Sequence, residues 1–219
     1  MQNSGISIIL KNFPLLLSGL GNTLLIAFVS MFISAFTGFL FGILRTTKNK
    51  GVKLITDFYL EAFRVIPLMV WLFGAYFFIP RALNISVSGE VAAISVFVLW
   101  GTAEMGDIVR GALESLPKAQ IEAGLSVGLT GIQVFWYIKL PQALKRILPG
   151  AISLSTRMIK TTSLVVLIGV IDVIKRGQQI IERTKEPFSI YGFLFLLFFL
   201  LCYPLSLLSR KLEERWNNE

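Results

Sequence analysis

The sequence contains no histidine and a single cysteine, Cys202. The absence of histidine excludes a histidine-based metal site or acid–base site. One cysteine cannot form an intramolecular disulfide, and since Cys202 lies inside an apolar run we expect a small buried hydrophobic residue there. Charged residues are also scarce: they make up 16% of the 219 residues, whereas 54% are hydrophobic. This composition excludes an ordinary soluble globular domain, in which about a quarter of the residues are charged.

Long apolar runs dominate the chain, and they are long enough to cross a bilayer. Backbone polar groups inside lipid must be satisfied within the chain, so such runs predict helices, whereas a barrel would need short alternating segments. We therefore predict an all-α polytopic membrane protein, with one transmembrane domain over residues 1–219. Because the first run can itself span and Lys11 is the only early basic residue, we expect no cleavable signal peptide. The five predicted spans are residues 15–44, 54–79, 89–113, 149–173 and 190–208, and a polar insert lies at 117–141.

Two features predict the shape and packing of the first two spans. Ser30, Ser34, Gly38 and Gly42 fall at every fourth position of the first span. This spacing predicts a ridge of small side chains against which another helix packs closely in lipid. Pro67 predicts a kink in the second span.

The chain carries 21 basic and 13 acidic residues, a net charge of +8. Because the basic residues flank the apolar runs, this excess indicates membrane orientation and not nucleic-acid binding. With five spans, one set of loops holds 12 basic residues and the opposite set holds six, four of them at 172–187. The bias predicts that the insert and the C-terminus are cytoplasmic and that the N-terminus is outside.

The insert at 117–141 has an amphipathic pattern interrupted by glycine. Its apolar residues recur at steps of three and four: Ile121, Leu125, Leu129, Ile132 and Phe135. Gly124, Gly128 and Gly131 each weaken a straight helix by roughly 1 kcal/mol relative to alanine, so we expect two short helices with a bend. Such an element suits either a docking knob for a soluble partner or an interfacial helix on lipid headgroups.

The spacing of the insert resembles the EAA loop of ABC importer permeases, in which E-A-A, three residues, G, nine residues and I-x-L-P follow in order. The matching residues are Glu122, Ala123, Gly128, Ile138, Leu140 and Pro141, with Gly124 at the position of the second alanine. The resemblance implies that these seven residues couple the chain to a separate ATPase, and that Glu122 makes a charged contact with it.

Further segments resemble polar amino acid uptake permeases of the histidine/glutamine/glutamate/arginine type. They are 21–24 (G-x-T-L), 64–68 (R-x-x-P-L), 107–111 (E-I-x-R-G, with Asp for Glu), 141–144 (P-Q-A-L, which resembles the L-P-Q-A segment of the family) and 160–164 (K-D-T-S-L, with Thr161 for Asp). The resemblance implies the ABC type I importer permease fold in a bacterial inner membrane, with five helices and a cytoplasmic coupling helix.

The same resemblance implies an assembly. Its expected members are a second permease subunit, either the same chain or a relative, an ABC ATPase dimer and an extracytoplasmic solute-binding protein. No segment resembles the phosphate-binding pattern G-x-x-x-x-G-K-[ST]. We therefore expect no cofactor in this chain and place ATP and Mg on the partner ATPase. Since the five predicted spans take up the chain, we also expect no fused binding domain.

Ionisable residues inside a bilayer usually face a cavity or a partner, and the third and fourth spans hold Glu104, Asp107, Arg157 and Lys160. At about 1.5 Å per residue, Glu104 lies ~22 Å below the outer surface and Arg157 ~12 Å above the inner one. In a core of ~30 Å these depths differ by about one turn, so Glu104 can pair with Arg157. Lys160 would then be free for a substrate carboxylate.

Two interpretations of these residues stay open. In one, the four charged residues form an ion-pair network that holds the helices together. In the other, some of them line a pocket for a zwitterionic amino acid, together with Thr161, Thr162 and Ser163 of the K-D-T-S-L segment. Thr161 removes a negative group, which favours an acidic or neutral polar substrate over a cationic one, whereas Glu104 opposes that preference.

The predicted function is that of the membrane subunit of an ATP-driven amino acid importer, which forms the translocation path by alternating access. The chain is then a transport subunit and not an enzyme. The alternative is an ion-gradient-driven secondary amino acid transporter, disfavoured because no internal repeat or broken helix pair is evident. A channel is disfavoured by the absence of a filter-like segment.

Overall fold

The structure, a computed structural model, describes residues 5–217. Within that range the chain is helical and contains no strand, which confirms the predicted fold class. The helices are α1 (Gly5–Arg45), α2 (Lys50–Val65), α3 (Leu68–Phe73), α4 (Ile79–Leu83), α5 (Gly89–Glu114), α6 (Lys118–Ser126), α7 (Gly131–Val134), α8 (Leu140–Thr161), α9 (Val173–Thr184) and α10 (Pro187–Asn217).

Three irregular helical turns join some of these elements. A π-helical turn at Gly74–Phe78 joins α3 to α4, another at Phe135–Lys139 joins α7 to α8, and a 3₁₀ segment at Thr162–Ile168 extends α8. The helix that contains α8 is therefore continuous over Gly131–Ile168. It begins well before residue 149, where the fourth span was predicted to start.

Four helical segments in the described part of the chain are long and apolar enough to cross a membrane: α1, α5, Gly131–Ile168 and α10. The second predicted span is not a single helix. Lys50–Val65 and Leu68–Leu83 meet at an angle of 100°, so the chain has five spans only if this bent pair counts as one. The break follows from Pro67, because the residue before a proline avoids helical backbone angles, and Ile66 has φ −83° and ψ 125°. The predicted kink is thus a sharp break, and the expectation that the chain has no broken helix pair is wrong.

The small residues of α1 pack against α5, as predicted. Ser30, Ser34, Gly38 and Gly42 are all buried. A Cβ atom on Gly38 would lie 2.5 Å from Cβ of Met105, so the two backbones approach as closely as glycine permits.

The remaining helices complete the bundle around this seam. The α10 helix packs along α8, where Oγ of Ser209 donates a hydrogen bond of 2.8 Å to the carbonyl of Pro149. The α9 helix packs on the N-terminal half of α1, where the backbone N–H of Val173 donates to Oγ1 of Thr23 at 3.1 Å. The insert formed by α6 and α7 lies between the C-terminal end of α5 and the start of α8.

Candidate functional site

The insert consists of two helices joined by a bend, as predicted. The α6 helix ends at Ser126, and Gly128 has φ +91°, a conformation that glycine adopts without the steric cost of a Cβ atom. Thr130 then caps α7 through a reciprocal capping box with Gln133. The second helix is not short, however, because it continues through the π turn into α8.

A close contact holds α6 against the start of that second helix. A Cβ atom on Gly124 would lie 2.6 Å from Cδ1 of Ile138 and 3.2 Å from Cγ2 of Val134. The absent side chain therefore lets α6 lie directly on the π turn. Nε2 of Gln142 also donates to Oε1 of Gln120 at 2.8 Å, which ties α6 to α8.

The rest of the insert presents an exposed surface. Glu122, Ala123, Gly128 and Pro141 are exposed, whereas Ile138 and Leu140 are half-buried. A shallow groove of about 560 Å³ separates α6 from the second helix; its lining residues are Gln120, Ala123, Gly124, Val127, Leu129, Ile138 and Gln142. The apolar stripe is only partly packed, because Leu125 is 50% and Ile132 74% exposed. This surface has the exposed apolar side chains that a docking partner would cover.

Glu104 and Arg157 form an ion pair between α5 and α8. Nη1 of Arg157 donates to Oε2 of Glu104 at 2.7 Å, and the guanidinium lies 5.9 Å from the centre of the Trp100 ring. The Glu104 side chain is only 16% exposed. The structure thus contains the pair that the depth argument predicted.

Lys160 has no ion pair among residues 5–217, and its side chain lines an apolar groove of about 540 Å³ along α10. The hydroxyls that follow bond to their own helix: Thr161 donates to the carbonyl of Arg157, Thr162 to that of Ile159, and Ser163 to that of Lys160. Thr162 is fully buried. Of the predicted pocket residues in this segment, Lys160 is the exposed one and Thr161 and Ser163 are partly exposed.

Asp107 lies in a separate cluster. It accepts hydrogen bonds from Arg45 at 2.7 Å, Arg64 at 2.6 Å and Arg110 at 3.1 Å, and Arg45 also donates to Asp57 at 2.9 Å. We call these five residues the arginine cluster. It joins α1, α2 and α5, so the expectation that Asp107 shares one network or pocket with Glu104, Arg157 and Lys160 is not met by these contacts.

Comparison with known proteins places this architecture in a family. The family model described as the binding-protein-dependent transport system inner membrane component matches residues 35–218, which is most of the chain. The chain belongs to this family.

Its similar relatives are membrane subunits of ABC transporters. This inner membrane component is 34% identical over 196 residues to the probable glutamine ABC transporter permease protein of Bacillus subtilis (strain 168), covering 88% of the chain and 89% of the relative. It is 31% identical over 203 residues to the glutamine transport system permease protein of Escherichia coli (strain K12), covering 92% and 93%.

Two solved structures are similar in fold. The crystal structure of an amino acid ABC transporter with histidines aligns with a TM-score of 0.89 at 27% identity, over 98% of this chain and all of the other. An inward-facing methionine ABC transporter aligns with a TM-score of 0.75 at 20% identity, over 93% and 97%. The fold of this inner membrane component is therefore the ABC type I permease fold, as predicted.

Sequence reasoning missed Arg45 as a member of the polar site, since its charge entered only the count of 12 basic loop residues on the side of the insert. Its side chain is 6% exposed and bridges two carboxylates. A signal was present: Arg45 follows Gly42 by three positions, so it continues the face of α1 that packs on α5. In this inner membrane component that face ends in a buried cation.

Proposed function

We propose that this chain is the membrane-spanning subunit of an ATP-driven amino acid importer and that α6 couples it to a separate ATPase. The observation that carries the proposal is the exposed surface of the insert around Glu122 and Ala123, on a helix held tightly to the rest of the protein. The glutamine and amino acid transporters among its relatives support the cargo class.

The contacts of α6 suggest how motion would be transmitted. Gly124 and Gln120 bind α6 to the helix Gly131–Ile168, which carries Arg157 and Lys160. A displacement of α6 by a closing ATPase dimer would move this whole helix relative to Glu104 on α5. The helix pair would then open and close a path, as alternating access requires.

Lys160 supplies the group that a zwitterionic substrate needs. Its ammonium is without an ion-pair partner in the part of the chain that the structure describes, whereas Arg157 is occupied by Glu104. We assign Lys160 to the substrate carboxylate and the Glu104–Arg157 pair, with Thr161 and Ser163, to the wall of the path. The threonine in place of aspartate favours a neutral or acidic polar amino acid.

The proposed assembly contains a second permease subunit, two ABC ATPases that hold ATP and Mg, and an extracytoplasmic solute-binding protein. The insert and the C-terminus face the cytoplasm and the N-terminus faces outward. The excess of basic residues in the loops on the insert side supports this orientation.

The test uses the complete transporter in proteoliposomes, with ATP hydrolysis and amino acid uptake measured together. Glu122→Ala and Gly128→Asp should reduce uptake per ATP hydrolysed while membrane insertion stays normal, because one removes the charged contact and the other forces a side chain into φ +91°. Gly131→Ala is the matched control, since a Cβ atom there meets nothing within 4 Å. Normal coupled uptake in both test variants would remove the coupling role, and uptake that follows an ion gradient without ATP would establish the secondary transporter instead.

Substrate preference tests the pocket separately. If Lys160 binds the carboxylate, Lys160→Ala should weaken uptake and change the preference among amino acids at normal protein yield. Unchanged preference with reduced yield would instead favour the purely structural ion-pair interpretation.

A further inference from the structure

Helix α2 presents three distinct faces. One is buried against the bundle and holds Thr56, Leu60 and Phe63. A second is charged: Lys50, Lys53, Asp57, Glu61 and Arg64. The third is apolar and exposed: Leu54 (73%), Ile55 (70%), Phe58 (76%) and Val65 (74%). At about 100° per residue the three faces are sectors of one helix, and the exposed apolar sector is about 100° wide.

Contacts with α5 fix the direction of α2. Oη of Tyr59 donates to the carbonyl of Leu99 at 2.7 Å, and Arg64 donates to Asp107 at 2.6 Å. These two acceptors are about 12 Å apart along α5, so Tyr59 points towards the N-terminal end of α5 and the charged face towards its C-terminal end. After the break, Tyr76 lies beside Gly89 at the start of α5. Since α3 and the π turn that follows it thus run along α5, the 100° bend places α2 across it.

The level of α2 along α5 coincides with a membrane boundary. Asp107 is about 27 Å from the start of α5 at 1.5 Å per residue, and the hydrocarbon core is ~30 Å thick. The charged face of α2 therefore points out of the core into the headgroup region, where the arginine cluster lies. Its exposed apolar face points away from the bundle and towards the acyl chains.

Basic side chains without partners surround the N-terminal end of this face. Lys48, Lys50 and Lys53 are exposed and make no ion pair within residues 5–217. Anionic phospholipid attracts such groups at a membrane surface, and an amphipathic helix buries its apolar face about 5–10 Å into the headgroup and acyl boundary.

We propose that α2 is an interfacial helix that binds anionic phospholipid. Leu54, Ile55 and Phe58 lie among the upper acyl carbons, and Lys48 with Lys50 and Lys53 binds headgroup phosphates. The predicted span at 54–79 is then an interfacial helix followed by a shorter crossing segment. The position of α2 at a membrane surface does not depend on the proposed function. Only the assignment of that surface to the cytoplasmic side rests on it.

Depth measurements test the placement of α2 in either orientation. Nitroxide labels at Ile55 and at Phe58 in the complete transporter, in nanodiscs, should be more accessible to oxygen than to a water-soluble nickel chelate, at a depth of about 5–10 Å. A label at Glu61, on the charged face, should show the opposite preference and serves as the control. Labels at 55 and 58 that reach the bilayer centre would make α2 part of a tilted span, and labels shielded from both quenchers would assign this face to another protein subunit; either result overturns the proposal.

Lipid selectivity tests the headgroup contact. Phosphatidylglycerol should be enriched over phosphatidylcholine around the wild-type transporter, as measured with spin-labelled lipids in mixed bilayers. Replacing one lysine with glutamine should lower that preference by up to about five-fold, and Lys48, Lys50 and Lys53 replaced together should lower it further. The control replaces Lys11 of α1 together with Lys175 and Lys185 of α9 and its C-terminal cap, an equal change of charge at the end of α1 remote from α2. If the control triple lowers the selectivity as much as the test triple, or if neither lowers it, α2 has no specific lipid contact.

Discussion

The close approach of α1 and α5 at Gly42 allows a stringent test of the packing. A Cβ atom on Gly42 would lie 2.5 Å from Cβ of Val109 and 2.7 Å from the carbonyl oxygen of Gly106. Carbon atoms pack best at about 3.5–4.0 Å, so Gly42→Ala must push the helices apart by roughly 1 Å. One neighbour is backbone and the other is a β-carbon, so no flexible side-chain tip can move aside.

The expected cost of that variant follows from two opposing terms. Overpacking costs about 1–3 kcal/mol, whereas alanine favours a helix over glycine by about 1 kcal/mol. Gly21→Ala on the same helix gains the helix propensity of alanine without any overpacking, because a Cβ atom at Gly21 meets nothing within 4 Å. The difference between the two variants therefore isolates overpacking.

This difference is measured by thermal unfolding in detergent micelles, with size-exclusion chromatography as the readout of the folded fraction at each temperature. A chain of this size shifts its midpoint by about 2–4 °C per kcal/mol, so Gly42→Ala should unfold about 2–12 °C below Gly21→Ala. Equal midpoints, or a higher midpoint for Gly42→Ala, would refute the close approach of the two backbones.

Three further predictions follow from single contacts. Asp107→Asn should lower stability by about 1–3 kcal/mol in the same unfolding assay, because the largely buried Arg45 loses one of its two carboxylates; Glu114→Gln, in a more exposed pair, should cost less than about 1 kcal/mol. Gly124→Ala should keep ATP-driven uptake near wild type, since its new methyl group meets mainly the flexible end of a side chain, whereas Gly124→Leu should abolish coupling by displacing α6. Asp172→Ala should lower stability by about 1 kcal/mol through loss of the cap on α9, and Asp172→Asn should retain the cap and the wild-type midpoint.

Local spacing predicted those parts of the fold that depend on one helix face or one turn. The four-residue repeat at Ser30–Gly42 predicted a packed seam because helix periodicity alone decides which side chains share a face. The three glycines of the insert predicted a bend because each weakens a straight helix, and the structure has that bend at Gly128. The Glu104–Arg157 pair was predicted from the depth of each residue in the membrane, which follows from counting residues along each helix separately.

Features that depend on three elements at once were not predictable in this way. Pro67 indicates that Ile66 is extended, but the 100° turn that results is fixed by the packing of α2 and α3 on α5. Asp107 was grouped with Glu104 because both are ionisable residues of the third predicted span, yet its partners on other helices come from α1 and α2. Such partners become visible only when the helices are assembled.

The π turn at Phe135–Lys139 has a consequence for the phase of the helix that follows it. A π turn accommodates one residue more than an α-helical turn, so it offsets the following faces by roughly 100° from those of an unbroken α-helix. Deleting one residue there would restore the regular α-helical repeat. The deletion would rotate Arg157 about the helix axis and away from Glu104, although neither of these residues is changed. The direction in which the charged side chains of this long helix point is thus set by one additional residue near its N-terminal end.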